Sequence, residues 1–181
     1  MRIGNTADGY GAVSKVLHWL TALLIVGLIG LGWYMVDLTY FDRWYNESLT
    51  LHKALGMVVF ALGLVTVCWR TLNPPRHGMP GLRPWEQVAA RGMHYLLLTM
   101  VLAIPVSGYL ISTSAGKSID FFGWCEIPAV IAVDTDLRDL AIEVHFWLAY
   151  ATAGFVSMHA GAALKHQFIN RDGTLARMLW R

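Results

Sequence analysis

Four apolar stretches, each long enough to cross a lipid bilayer, decide what this chain can fold into. They cover residues 16–36, 49–69, 88–112 and 140–164, and about 20 apolar residues span the roughly 30 Å hydrocarbon core of a membrane. Lipid offers no hydrogen-bond partner to an open strand, so each stretch is expected to be a helix. The sequence therefore predicts an all-α integral membrane protein, with residues 1–181 forming one domain built as a four-helix bundle.

The distribution of charge predicts how the bundle is oriented. With 56% hydrophobic and only 14% charged residues, the chain does not fit a soluble globule. Ten of its 14 Lys and Arg residues fall on one side of the predicted bundle. The four on the other side are Arg43, Lys53, Lys117 and Arg138. The positive-inside rule then places both termini in the cytoplasm. The net charge of +2 thus reports topology and does not indicate nucleic-acid binding.

Histidines inside the predicted spans form two levels. On the fourth span, His145 and His159 are fourteen residues apart, which brings them within about 40° of the same helix face and about 21 Å apart along the axis. His52 lies at the outer level with His145, whereas His18 and His94 lie at the inner level with His159. Ionisable side chains within a membrane are costly and usually functional.

Each level offers at least two imidazoles from different helices, which is what a haem iron with two axial histidines requires. Spacing alone does not decide whether His18 or His94 pairs with His159, and the remaining histidine could contact a haem propionate or a quinone. Hydrogen-bonded packing histidines are the simpler alternative. A zinc site is a weaker one, because no thiol or carboxylate lies at either level. The absence of a C-x-x-C-H motif excludes covalent c-type haem.

The segments between and beyond the spans support further predictions. Ser14 is the expected N-cap of the first helix. The long outer connection, residues 113–139, contains apolar clusters that predict a surface lid with a short interfacial helix. His77 is expected to be a solvated loop histidine. The basic tail, residues 165–181, is expected to lie on the inner membrane surface.

Several motifs of this chain resemble those of the bacterial cytochrome b561 family. The motifs are K-V-L-H-W-L at Lys15–Leu20, L-H-K-x-L-G at Leu51–Gly56, A-I-P-V-S-G at Ala103–Gly108, and the His145/His159 pair. The resemblance covers nearly the whole chain. It implies a multi-pass protein of the bacterial inner membrane with two b-type haems. It also implies His52 with His145 as ligands of the outer haem, and His18 rather than His94 with His159 for the inner haem.

The same resemblance implies transmembrane electron transfer between a periplasmic donor and the quinone pool, by a monomer or homodimer in membrane lipid. Some members resemble superoxide oxidases, so superoxide is a candidate donor and ubiquinone the expected acceptor. Lys53, Lys117 and Arg138 are the candidate cations for attracting a small anion. One alternative is an electron-relay subunit docked to a periplasmic redox protein. A further alternative is a histidine-lined metal transporter, which is disfavoured because few polar residues lie between the two levels.

Overall fold

The computed structural model describes residues 2–6, 9–74 and 82–179 and contains four long helices. The helices are α1 (Ala12–Val36), α2 (Tyr45–Leu72), α3 (Pro84–Thr113) and α4 (Thr135–Leu164). All four are long and apolar enough to cross a membrane, so the predicted all-α membrane bundle is confirmed. Three residues of the sequence predictions, His77 and the inner cations Arg76 and Arg181, lie outside the described residues.

The helices extend beyond the apolar stretches because polar residues cap them. At the start of α4, the Asp134 carboxylate accepts a hydrogen bond from the backbone N–H of Leu137. At the start of α3, the Glu86 carboxylate accepts one from the backbone N–H of Arg83. Such bonds satisfy N–H groups that a helix leaves unpaired at its first turn.

The predicted N-cap of α1 is wrong, because the helix begins earlier, with Gly11 as its N-cap. The helix begins at Ala12 after Gly11, and Ser14 lies inside its first turn. The Asn5 side chain accepts hydrogen bonds from the Gly11 N–H at 3.0 Å and from the Ser14 hydroxyl at 2.8 Å. Ser14 in turn accepts a bond from the Trp69 indole N–H at 2.9 Å, which ties the inner end of α1 to α2.

The helices pack in chain order, and the first and last barely touch. α2 lies between α1 and α3, and α3 packs along α4. A small core joins α1 to α2 through Ile25, Leu28 and Val59. Gly63 of α2 allows α3 to approach closely, since a Cβ atom there would lie 2.8 Å from Leu102 Cδ2. The bundle is therefore tight along α1–α2–α3–α4 and open between α4 and α1.

The outer connection contains a β-hairpin in place of the predicted interfacial helix. Strands β1 (Ile119–Phe121) and β2 (Cys125–Ile127) are antiparallel, and Phe121 faces Cys125 across the turn. Three residues, Phe122, Gly123 and Trp124, connect the strands, and Phe122 and Gly123 turn the chain with φ of 56° and 72°. Ile119 is only 2% exposed and anchors the hairpin where β1 contacts α2. The apolar clusters of this loop belong to short strands, which periodicity alone does not distinguish from a short helix.

The C-terminal segment folds back onto the bundle. A π-helical stretch over residues 165–170 is followed by α5 (Thr174–Leu179). His166 Nδ1 and Asp172 Oδ2 are 2.7 Å apart. Burial raises the pKa of the Asp172 carboxyl, but hydrogen bonds from Thr174 and His166 lower it more, and the net pKa lies below its ordinary value. The Trp19 indole N–H donates to the Met178 carbonyl at 2.9 Å, which attaches α5 to α1.

Replacing Trp19 with Phe should loosen this segment. The change removes the bond to the Met178 carbonyl, worth about 1 kcal/mol, and so raises the open population about fivefold. Limited trypsin digestion should cut after the exposed Arg171 about fivefold faster, measured by mass spectrometry of the released peptide. Trp33→Phe, at a half-exposed position on the same helix, is the matched control. Equal cleavage rates in both variants would contradict this docking role.

Candidate functional site

The outer level of histidines meets between α2 and α4. The ring centres of His52 and His145 are 6.1 Å apart with an angle of 73° between the ring planes. Gly32 of α1 lies beside the pair, since a Cβ atom there would be 3.5 Å from His52 Cε1. The two imidazoles predicted to share the outer level are thus brought together, with their ring planes steeply inclined to each other.

The inner level gathers three histidines. The ring centres of His18 on α1 and His159 on α4 are 6.2 Å apart with an interplanar angle of 67°. His94 on α3 lies closer to His159, with ring centres 5.3 Å apart. The edge of the Trp19 ring packs against His18 at 5.3 Å. All five predicted histidines therefore fall into the two groups that their depths indicated.

Two imidazoles that bind one metal ion from opposite sides have a characteristic distance between their ring centres. Metal–imidazole bonds are about 2 Å long, and with the ring radius added, the two ring centres are expected about 6 Å apart. The His52–His145 and His18–His159 pairs have this separation. The His94–His159 pair is shorter. The donor sets at both levels thus fit a cofactor whose metal takes two axial imidazoles.

The hydrogen bonds of His145 settle which ring nitrogen can bind a metal. Its Nδ1 atom lies 3.1 Å from the Ile104 carbonyl oxygen and 3.0 Å from Ser107 Oγ. The carbonyl oxygen accepts only, so Nδ1 carries the proton and Nε2 keeps its lone pair. This is the tautomer that a metal ligand needs, with the other nitrogen held by a backbone carbonyl.

Several buried polar atoms on the histidine faces have no hydrogen-bond partner among the described residues. They include His52 Nδ1, Thr21 Oγ1 and Thr152 Oγ1. Thr152 lies seven residues from both His145 and His159, so it shares their helix face. Buried polar atoms are ordinarily paired. The unpaired Nδ1 of His52 leaves that ring without a protein partner, which fits a site that a further group completes.

The outer cations differ in their surroundings. Lys53, next to His52, is half-buried and close enough to Lys117 for the two charges to repel each other. Arg138 pairs with Asp139 at 3.4 Å, and Arg43 lies over the Trp44 ring at 5.4 Å. Lys53 and Lys117 therefore form the stronger positive site, and the predicted contribution of Arg138 is partly offset by its neighbour.

The sequence did not assign a role to Ser107, Gly108 or Thr21. Ser107 is 4% exposed and contacts His145. Gly108 lets the imidazole approach, since a Cβ atom there would lie 3.2 Å from His145 Cε1. A serine followed by a glycine in an otherwise apolar span was the available signal. Its partner is 38 residues away, however, and local patterns do not reveal such a contact.

The chain is similar to known proteins over nearly its whole length. The family model described as prokaryotic cytochrome b561 matches residues 9–181. "Cytochrome b561 homolog 2" of Escherichia coli (strain K12) is 42% identical over 179 residues, covering 99% of this chain and 95% of that protein. "Cytochrome b561 homolog 1" of the same organism is 28% identical, covering 91% and 93%. "Probable superoxide oxidase CybB" of Yersinia pestis is 26% identical, covering 94% and 95%.

Replacing Gly108 with Ala should destabilise the fold. The added methyl would lie 3.2 Å from His145 Cε1 and 3.4 Å from Nδ1, and such overpacking costs about 1–3 kcal/mol. Gly92→Ala on the same helix meets no atom within 4 Å and should be neutral or stabilising by up to about 1 kcal/mol, because Ala favours the helix. Thermal unfolding in detergent, followed by circular dichroism, measures both. Equal unfolding temperatures would show that the imidazole does not need this close approach.

Proposed function

We propose that this chain, which belongs to the prokaryotic cytochrome b561 family, carries electrons across the membrane between a periplasmic donor and the quinone pool. The family resemblance predicted from the motifs and the predicted multi-pass location in the bacterial inner membrane are confirmed. The predicted orientation places the His52 level on the periplasmic side of the membrane.

Membership of this family implies b-type haem as the cofactor. We propose two haems per chain, with His52 and His145 holding the outer one and His18 and His159 the inner one. The ring-centre distances of 6.1 and 6.2 Å support these pairs. The His94–His159 distance of 5.3 Å fits the separation of two ligands less well, so we propose His94 as a contact for a quinone or a haem propionate.

The observation that carries this proposal is that one helix contributes a histidine to two similar pairs at two depths. Fourteen residues of α4 separate His145 from His159, which is about 21 Å along the helix axis. A bound b-type haem supplies a one-electron change at its iron. The chain fixes where those changes occur, since each pair sits between α4 and a different helix.

Superoxide is the donor that the outer surface favours. Half-buried Lys53 and its neighbour Lys117 offer a positive site for a small anion beside His52. A relative in Yersinia pestis bears the name probable superoxide oxidase. In the balanced reaction, two superoxide anions are oxidised to two oxygen molecules. Ubiquinone takes up the two electrons and two protons to become ubiquinol.

A relay docked to a periplasmic redox protein is the second candidate. The hairpin favours it, because Trp124 is 83% exposed and Phe122 40% exposed at its tip, and aromatic residues are enriched at interfaces. A metal transporter has less support. The described residues contain no group of three or more His, Cys, Asp or Glu side chains arranged to hold a metal ion.

Single histidine replacements should remove one haem at a time. The purified protein should contain two b-type haems per chain by pyridine haemochrome assay and reduced-minus-oxidised spectra. His52→Ala and His18→Ala should each retain one, because each breaks one of the two pairs. His94→Ala is the matched control and should retain both.

The His94→Ala control shows which histidine pairs with His159 at the inner level. If His94→Ala lost a haem and His18→Ala kept both, His94 would be the partner of His159. A wild-type protein without haem would overturn the cytochrome proposal as a whole.

Charge reversal at Lys117 should test whether superoxide is the donor. Lys117→Glu should slow superoxide-driven ubiquinone reduction about tenfold at low ionic strength, because electrostatic steering of an anion is lost. The effect should shrink as added salt screens the charges. Arg138→Glu is the comparison and should change the rate less, since Asp139 already offsets that charge. If Lys117→Glu left the rate unchanged at every salt concentration, superoxide steering at this site would be rejected.

A further inference from the structure

We propose that Ser107 of α3 is a positioning residue for His145: its hydroxyl, with the Ile104 carbonyl, holds the imidazole of the outer pair in one tautomer and one orientation. This inference rests on the proposed function, because His145 matters to it as a haem ligand. Ser107 itself would not touch the cofactor and would act through His145.

The protons of this cluster can be assigned. The Ser107 hydroxyl has one proton and donates it to the Ile104 carbonyl at 2.7 Å. Towards His145 it can therefore only accept, and its oxygen lies 3.0 Å from Nδ1. The Nδ1–H group is shared between this hydroxyl and the Ile104 carbonyl at 3.1 Å. Two acceptors on one helix thus hold one N–H, which fixes the rotation of the ring as well as its tautomer.

The local structure of α3 makes this contact possible. Ser107 is 4% exposed, so no solvent competes for its hydroxyl. Gly108 leaves room for the ring edge, because a Cβ atom there would be 3.4 Å from the same Nδ1 atom. The Ile104 carbonyl oxygen lies 2.7 Å from the Ser107 hydroxyl and 3.1 Å from His145 Nδ1, so it contacts both members of the cluster.

The two imidazoles of the outer pair are consequently unequal. His145 donates its Nδ1–H to α3, whereas His52 Nδ1 has no partner among the described residues. A hydrogen bond at the distal nitrogen makes the ligating nitrogen more electron-rich, and this favours the oxidised form of a bound metal. Ser107 should therefore make the outer haem harder to reduce than the His145 ligand alone would.

The test is a redox titration of the purified holoprotein with the two haems resolved spectroscopically. Ser107→Ala removes one acceptor of the shared N–H. It should raise the equilibrium constant for reducing the outer haem about 3- to 10-fold, the effect of one hydrogen bond, and leave the inner haem unchanged. Ser107→Thr keeps the hydroxyl and should restore the wild-type constant. Thr99→Ala is the control on the same helix, because the Thr99 hydroxyl bonds only the Tyr95 carbonyl and lies exposed.

Selective loss of the outer haem in Ser107→Ala, with both haems kept in Ser107→Thr, would also support the proposal. That outcome would support the proposal because weakened positioning of a ligand typically lowers metal affinity 10- to 100-fold. An unchanged equilibrium constant for reducing the outer haem in Ser107→Ala would overturn the proposal. Two further results would overturn the proposal, because each would point to a general packing defect. The first is an equal shift in the equilibrium constants for reducing both haems. The second is loss of both haems in Ser107→Ala and Ser107→Thr alike.

A separate variant distinguishes this inference from the proposed function. If His145→Ala kept the outer haem, the ligand assignment itself would be wrong. If His145→Ala lost that haem while Ser107→Ala changed nothing, only the role of Ser107 would be rejected.

Discussion

An imidazole buried in a membrane bundle is costly unless its nitrogens find partners, and the arrangement of the helices follows from that constraint. α4 carries two such rings and packs along α3, which accepts the Nδ1–H of His145. The same rings lie opposite His18 of α1 and His52 of α2, with ring centres 6.2 and 6.1 Å apart. The four spans therefore act as a frame that holds imidazoles at two heights.

The four helices contribute different parts of the histidine sites. In the proposed assignment, α1, α2 and α4 supply the paired histidines, and α3 supplies the surface against which α4 packs. Its close approach depends on glycines on both sides, Gly63 of α2 and Gly108 of α3 itself. Small residues serve the same purpose in other membrane bundles, where close packing replaces the hydrophobic drive between helices. In this chain Gly108 also lets the edge of the His145 ring reach the Ile104 carbonyl oxygen.

The sequence was sufficient for the spans and for the depth of each histidine, because hydropathy and helical rise depend only on local order. It left the choice between His18 and His94 open, and the family motifs favoured His18. The ring distances of 6.2 and 5.3 Å favour the same residue. Features that depend on distant residues were missed. Asn5 binds both Gly11 and Ser14 at the start of α1, and the contact between Ser107 and His145 joins two different helices. The hairpin was mistaken for a helix, since short apolar runs fit either structure.

The position of α4 in the chain has a consequence for biogenesis. Synthesis proceeds from the N-terminus, so α1, α2 and α3 enter the membrane before α4 is made. Both paired sets of histidines include a residue of that last helix, namely His145 and His159. Neither site can form while the ribosome is still extending the third span. In the proposed assignment, cofactor loading follows insertion of the final helix, because a nascent chain that stops earlier lacks one ligand of each proposed pair.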